Sequence, residues 1–319
     1  MMKLRIFLIA AVSIMVASTV SAQSINDITT KLNEGMAAAN ARDFDKSIVL
    51  LGEAYDMSKT STEEGALDIG KQAYAALGSV TLNSGKKAAS TKDYDAAIKA
   101  FSKGGEIFTS LSDTANAKQA IALLSKVYEL KAFSLNKAGD FDNALAACQE
   151  GLVNNPNSSL LLLLSANSKY SKGNTSEALA DYAALYAFAK SAPQYAKIEG
   201  QVNNALLSNA AEVAKTNVDL AEDNIALVLG NNPKNEIAHM QRVQIYNAAK
   251  DYKSVIKYGD EAVAAQTKLD NKMTLNYIIG AAYQVLLDND NAVKYYNKVT
   301  SGQYAANAKQ IVASLTKKP

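Results

Sequence analysis

Two residue types on which most catalytic and metal sites depend are almost missing from this chain of 319 residues, which has one histidine and one cysteine. A single imidazole, His239, excludes any site needing two His ligands and leaves one possible imidazole base. A lone cysteine, Cys148, excludes an intramolecular disulfide, so stability must come from packing. Tryptophan is absent and there are only four prolines. The internal ones, Pro156, Pro193 and Pro233, each lie between two amphipathic runs, in turns where they cost no helical hydrogen bond. No stretch alternates β-branched with polar residues over the length of a strand, so an all-α fold is expected. Glycine-rich phosphate loops, nucleophile elbows and zinc-ligand spacings are also missing. Charge of one sign is not in excess either, with 33 Lys+Arg against 31 Asp+Glu. Without Lys3 and Arg5 the counts are equal, which lacks the basic surplus of a nucleic-acid binder.

Lys3 and Arg5 precede an apolar run from Ile6 to Val16, and Val20-Ser21-Ala22 stands before Gln23. A basic start, an apolar middle and a small-residue site predict a signal peptide over 1–22, cleaved near Ala22. The run is short and broken by Ser13, Ser18 and Thr19, which argues against a spanning helix. An uncleaved N-terminal anchor is the alternative. No cysteine follows the junction, so a lipoprotein pattern is missing. The expected mature chain is periplasmic or secreted, without an integral membrane span.

What is present is repetition. Asp43-Phe44-Asp45-Lys46, Asp93-Tyr94-Asp95-Ala96, Asp140-Phe141-Asp142-Asn143 and Asp251-Tyr252-Lys253-Ser254 are versions of one phrase. With Asn174, Asn217 and Asp288 they form anchors at 43, 93, 140, 174, 217, 251 and 288, spaced by 50, 47, 34, 43, 34 and 37 residues. Such periods signal a solenoid. Four residues beyond the anchors stand Ser47, Ala97, Ala144, Ala178, Ala221, Val255 and Ala292. Twelve before those stand Gly35, Gly85, Ala132, Ala166, Asn209, Val243 and Gly280. Small side chains there let two helix axes approach closely. The phrase, this small-residue register and Pro156 and Pro233, each sixteen residues past an anchor, resemble the tetratricopeptide repeat (TPR) family. The unit anchored at Asn217 matches least well.

The resemblance implies an all-α, right-handed α-α superhelical solenoid of about seven TPR-like helix pairs over 23–300, with a C-terminal capping helix and tail over 301–319. The long early spacings are read as lengthened first helices through Glu63–Thr91 and Thr114–Lys137, with an inserted short helix as the alternative. Glycines such as Gly139, Gly173 and Gly230 are expected to close helices in the left-handed conformation.

His239 lies in a helical run without clustered carboxylates and reads as structural. Cys148 falls eight residues past an anchor, on the buried face of a second helix, and reads as core. The run Asp288-Asn289-Asp290-Asn291 suggests calcium, yet the EF-hand glycine and glutamate positions hold Val293 and Val299. Helix N-capping explains the same residues. No catalytic residue, metal or cofactor is assigned, and Lys317-Lys318-Pro319 reads as a solvated tail.

In the TPR family the first helices line the concave face. That register projects Lys126, Glu129, Phe133, Asn136, Asn167, Tyr170, Asn203, Gln244, Asn247 and Tyr277 inward as a candidate partner-binding set, against the reading of ordinary solvated surface with Phe133 and Tyr277 in the core. A carboxylate clamp is not supported, because Leu163 replaces the lysine one turn before Asn167. The expected function is an exported, non-enzymatic scaffold for a peptide or protein partner in the cell envelope. The competing readings are a small-molecule or enzymatic pocket between the lengthened early helices, and self-association through the open ends of the solenoid.

Overall fold

The computed structural model describes residues 24–191 and 196–316. The leader over 1–22, Pro193 and the terminal lysines lie outside the described residues. Among those described there are fifteen helices and no strand. They run α1 Ile25–Asn40, α2 Phe44–Thr60, α3 Ala66–Ser90, α4 Tyr94–Ser110, α5 Thr114–Lys137, α6 Phe141–Asn154, α7 Ser159–Ser171, α8 Thr175–Ser191, α9 Ala196–Val213, α10 Val218–Asn231, α11 Glu236–Ala248, α12 Tyr252–Ala265, α13 Leu269–Val285, α14 Asn289–Tyr296 and α15 Ala305–Leu315. Successive helices from α1 to α4 and from α6 to α15 pack on one another, the pattern of an α-solenoid. The helices form two compact units that divide inside α5, between Val127 and Tyr128. The long early spacings are occupied by α3 and α5, continuous helices of 25 and 24 residues.

Every anchor stands immediately before an even-numbered helix, and in six of the seven the chemistry of its turn is the same. Arg42, Lys92, Gly139, Gly173, Lys250 and Leu287 adopt left-handed conformations with φ between 59° and 87°. The next residue, the anchor, donates its backbone N–H to the carbonyl five residues earlier at 2.9–3.0 Å, as Asp43 does to Ala38 and Asp288 to Tyr283. That bond closes the first helix in a Schellman arrangement. The same aspartate then accepts the N–H three residues ahead, Lys46 at 3.2 Å for Asp43 and Asn291 at 3.1 Å for Asp288, and so caps the second helix. Hydrogen bonds from Ser254 and Asn291 hold the carboxyls of Asp251 and Asp288 below the usual carboxylate range.

Three details depart from the sequence reading. Ser112, with φ 57°, and Asp113 make the same turn between α4 and α5, where no anchor was expected. Asn217 is reached without a left-handed residue and bonds to the carbonyl of Val213 instead. Gly230 lies inside α10 and has no positive φ, because that helix ends on Asn232, in an extended conformation.

In three of the pairs the crossing sets a glycine against a large side chain. A Cβ placed on Gly35 would lie 2.8 Å from Leu51, one on Gly85 2.7 Å from Phe101, and one on Gly280 3.1 Å from Tyr296. The offset is sixteen residues each time. Buried Ser47 completes the first crossing by donating its hydroxyl to the Gly35 carbonyl at 2.8 Å. In the second unit, a core of Leu163, Tyr182, Leu185, Val202, Leu206, Ile225 and Val228 runs through α7–α10. At the far end α15 covers Ala292, Tyr296 and Val299, bringing Ala308, Ile311 and Val312 onto them.

Leu287 is 85% exposed yet holds φ 63°, a conformation that disfavours any side chain. Leu287→Gly should therefore stabilise the chain by about 0.5–1 kcal/mol. Gly139→Leu should do the opposite, since its Cβ would meet nothing and only backbone strain would change. Urea unfolding of the two variants gives shifts of opposite sign; shifts of one sign would refute the turn assignment.

Candidate functional site

In the second unit the odd-numbered helices touch in succession, α7 to α9, α9 to α11 and α11 to α13. One furrow of about 880 Å³ runs along α9 and α11 to the start of α13, lined among others by Leu207, Ala211, Ile237, Met240, Gln244, Lys268 and Asn271. A neighbouring hollow of about 550 Å³ shares Ala211, Gln241 and Gln244 and reaches Ala214, Lys215 and Ala248. Gln241 donates its amide to the Leu207 carbonyl at 2.8 Å, which ties α11 to α9 beneath both hollows. The surface is aliphatic and amide-rich, with Ile237 66% exposed and the Gln244 side chain in solvent without a hydrogen bond among the described residues. It can bury an apolar side chain and pair amides with an extended backbone.

The ten residues expected on the binding face divide into two groups. Asn136 donates to Ser168 at 2.9 Å, Asn167 accepts from Tyr182 at 2.6 Å and Asn203 accepts from Tyr186 at 2.6 Å. The Tyr170 hydroxyl accepts from Asn224 at 2.9 Å, and Glu129 accepts from Ser158 at 2.8 Å. Tyr277 stacks on Tyr304 of the turn into α15 at 4.4 Å and accepts from Asn307 at 2.6 Å. These six act as struts between helices. Burial pushes the Tyr170 and Tyr186 phenols above their ordinary range, so both remain neutral donors and acceptors at physiological pH. Of the others, Phe133 is 53% exposed on α5, Lys126 is exposed in the part of α5 that belongs to the first unit, and Asn247 is half-buried on α11. Gln244 alone of the ten lines the furrow.

Ile237, Met240 and Lys268 complete the furrow and were not singled out in the sequence. Ile237, Met240 and Gln244 follow i, i+3, i+7 spacing, so a helical-face reading of α11 could have found them.

His239 is buried, with Nε2 at 2.8 Å from the Pro233 carbonyl, and fixes the turn before α11. Cys148 is fully buried, and desolvation pushes its thiol up to about 12, so the thiolate needed for nucleophilic chemistry is suppressed. Asp288 and Asn291 bond to each other across the N-terminus of α14. Among the described residues no group of three His, Cys, Asp or Glu side chains could hold a metal ion, and no helix is long and apolar enough to cross a membrane.

No protein-family model matches the chain, and no curated protein matches it in sequence. Solved structures similar to it include MamA, 16% identical over 61% of this chain and 97% of that one, with a TM-score of 0.34. Others are the TPR2AB domain of yeast Sti1 in complex with pHSP90, 12% identical over 92% and 100% with a TM-score of 0.32, and a tetratricopeptide repeat protein from Parabacteroides merdae, 13% identical over 91% and 99% with a TM-score of 0.29. Overlap at these scores does not establish a shared shape, so the repeat architecture rests on this chain's own turns and pairings.

The strut assignment has a measurable consequence. Asn203→Ala leaves the buried Tyr186 hydroxyl without its acceptor and should cost roughly 1–3 kcal/mol. Gln244→Ala, at an exposed position, should change stability by no more than about 0.5 kcal/mol. Equal unfolding midpoints for the two variants would mean that Asn203 is not structural.

Proposed function

We propose that this chain is an exported, non-enzymatic TPR-like scaffold that binds a peptide or protein of the cell envelope along the α9–α11–α13 furrow. The observation that carries the reading is the contrast on the first helices. Most of the polar residues there are consumed by struts, whereas Ile237 and Gln244 remain open in a hollow large enough for several side chains. Exposed apolar anchors beside the unengaged amide of Gln244 suit an extended peptide, since binding energy concentrates in a few desolvated side chains. The burial of His239 and Cys148 supports a non-covalent role. The order of basic, apolar and small residues before Gln23 supports export.

Replacement of Ile237 by Ser together with Gln244→Ala should reduce capture of the partner from an envelope fraction by at least tenfold while leaving helix content unchanged. Lys99→Ala and Lys294→Ala, on exposed positions of even-numbered helices, serve as controls. Loss of capture in the controls with retention in the furrow variant would move the partner to the outer helices.

Export is checked separately by the intact mass of the protein purified from its own cells, which should correspond to a chain beginning at Gln23. Retention of Met1 to Ala22 would remove the compartment from the proposal.

A further inference from the structure

The first unit carries a second concavity, of about 740 Å³, whose chemistry differs from that of the furrow. It lies where the last turns of α1 and α3 meet the turn into α2, and three of its lining residues are cations: Arg42, Lys86 and Lys87. No carboxylate lines it. Along α3 the only acidic residue is Asp68 in the first turn, so the helix presents no counter-charge to this end. Arg42, Lys86 and Lys87 form no ion pair among the described residues, whereas Lys31 of α1 is paired with Glu53 at 2.7 Å.

The arrangement on α3 is a face. Asn83, Lys86 and Lys87 follow i, i+3, i+4 spacing and therefore project together. Asn40, the last residue of α1, brings a second amide to the same hollow. The Lys87 ammonium sits 5.9 Å from the centroid of the half-buried Phe44 ring, which limits its range of positions. Helix-dipole compensation accounts for one basic residue in the last turn of α3. Arg42 stands just past the end of α1, at a turn position that Lys92 and Lys250 hold in other repeats, so what distinguishes this place is the convergence of three cations on one hollow.

We propose that this hollow binds a small phosphate-bearing ligand carrying two or more negative charges, with Arg42, Lys86 and Lys87 supplying the charge and Asn40 and Asn83 donating amide hydrogen bonds. Arginine suits bidentate contact with phosphate oxygens and lysine a point-charge contact. The inference is independent of the furrow, which lies in the other unit.

Calorimetric titration of the mature chain with inorganic pyrophosphate, at ionic strength held constant with sodium chloride, tests it. Saturable binding is expected, weakened at least tenfold in the combined Lys86→Gln and Lys87→Gln variant and in Arg42→Gln, and unchanged in Lys99→Gln. Circular dichroism should show the same helix content in all of them. Absence of saturable binding, or equal affinity in the cation variants and wild type, would overturn the proposal. Binding to phosphatidylglycerol vesicles without binding to soluble pyrophosphate would also overturn it, by assigning the cations to a lipid surface.

Discussion

The structure depends on one residue serving two helices. In six of the seven anchored turns the anchor's backbone N–H completes the preceding helix while its position, and in five of them its observed side-chain bond, starts the next. Helix ends leave four unsatisfied donors or acceptors each, and a longer connection would have to solvate them separately. Concentrating both duties on an Asp or Asn makes the connection a few residues long. The chain must then fold back directly onto the helix it has just left. The close crossing at Gly35 and Leu51, or Gly280 and Tyr296, is the consequence. Two axes held that near at one end cannot accommodate a large side chain on both.

Between pairs, a different chemistry operates. Asn136 to Ser168 and Tyr170 to Asn224 span 32 and 54 residues, Tyr186 of α8 donates to Asn203 of α9 at 2.6 Å, and Gln241 of α11 reaches the Leu207 carbonyl of α9 at 2.8 Å. Apolar packing is tolerant of small slips along a helix. A hydrogen bond in a half-buried position is not, because a shifted partner leaves a desolvated group unpaired. The amides and phenols of the first helices therefore fix how one pair sits on the next, in a chain that has no disulfide to do so.

This explains what could be read in the sequence. The turns were legible because their cause is local: an Asp or Asn three residues before the N–H it caps. The departures share that logic. Asp113 lacks the sequence signal because Thr114 follows it where the phrase has an aromatic, although the geometry is the same. Gly230 misled because a glycine near a helix end resembles a left-handed terminator, while the following Asn232 takes an extended conformation instead. The site was less legible for a physical reason. An asparagine on a first helix is equally suited to receiving a partner or a tyrosine from the next helix. For Asn203 the deciding residue, Tyr186, lies in another helix, and only its position in space assigns the amide.

The struts also limit where binding can occur. A side chain already bonded between helices loses that bond before it can serve a ligand, so it contributes little net affinity and weakens the array. On the proposed reading, recognition is left to positions that face outward from the strut line. In the second unit these are Ile237, Gln244 and their neighbours along α11, where tyrosine pairing is replaced by the Gln241 bond to a main-chain carbonyl. In the first unit, the stacked pair Tyr55 and Tyr74, with ring centroids 3.9 Å apart, ties α2 to α3. The stability of a repeat array is close to a sum of units and nearest-neighbour interfaces. Exposed changes at either surface therefore leave the sum nearly intact, and the two surfaces can diverge in chemistry while the turns and struts hold the scaffold constant.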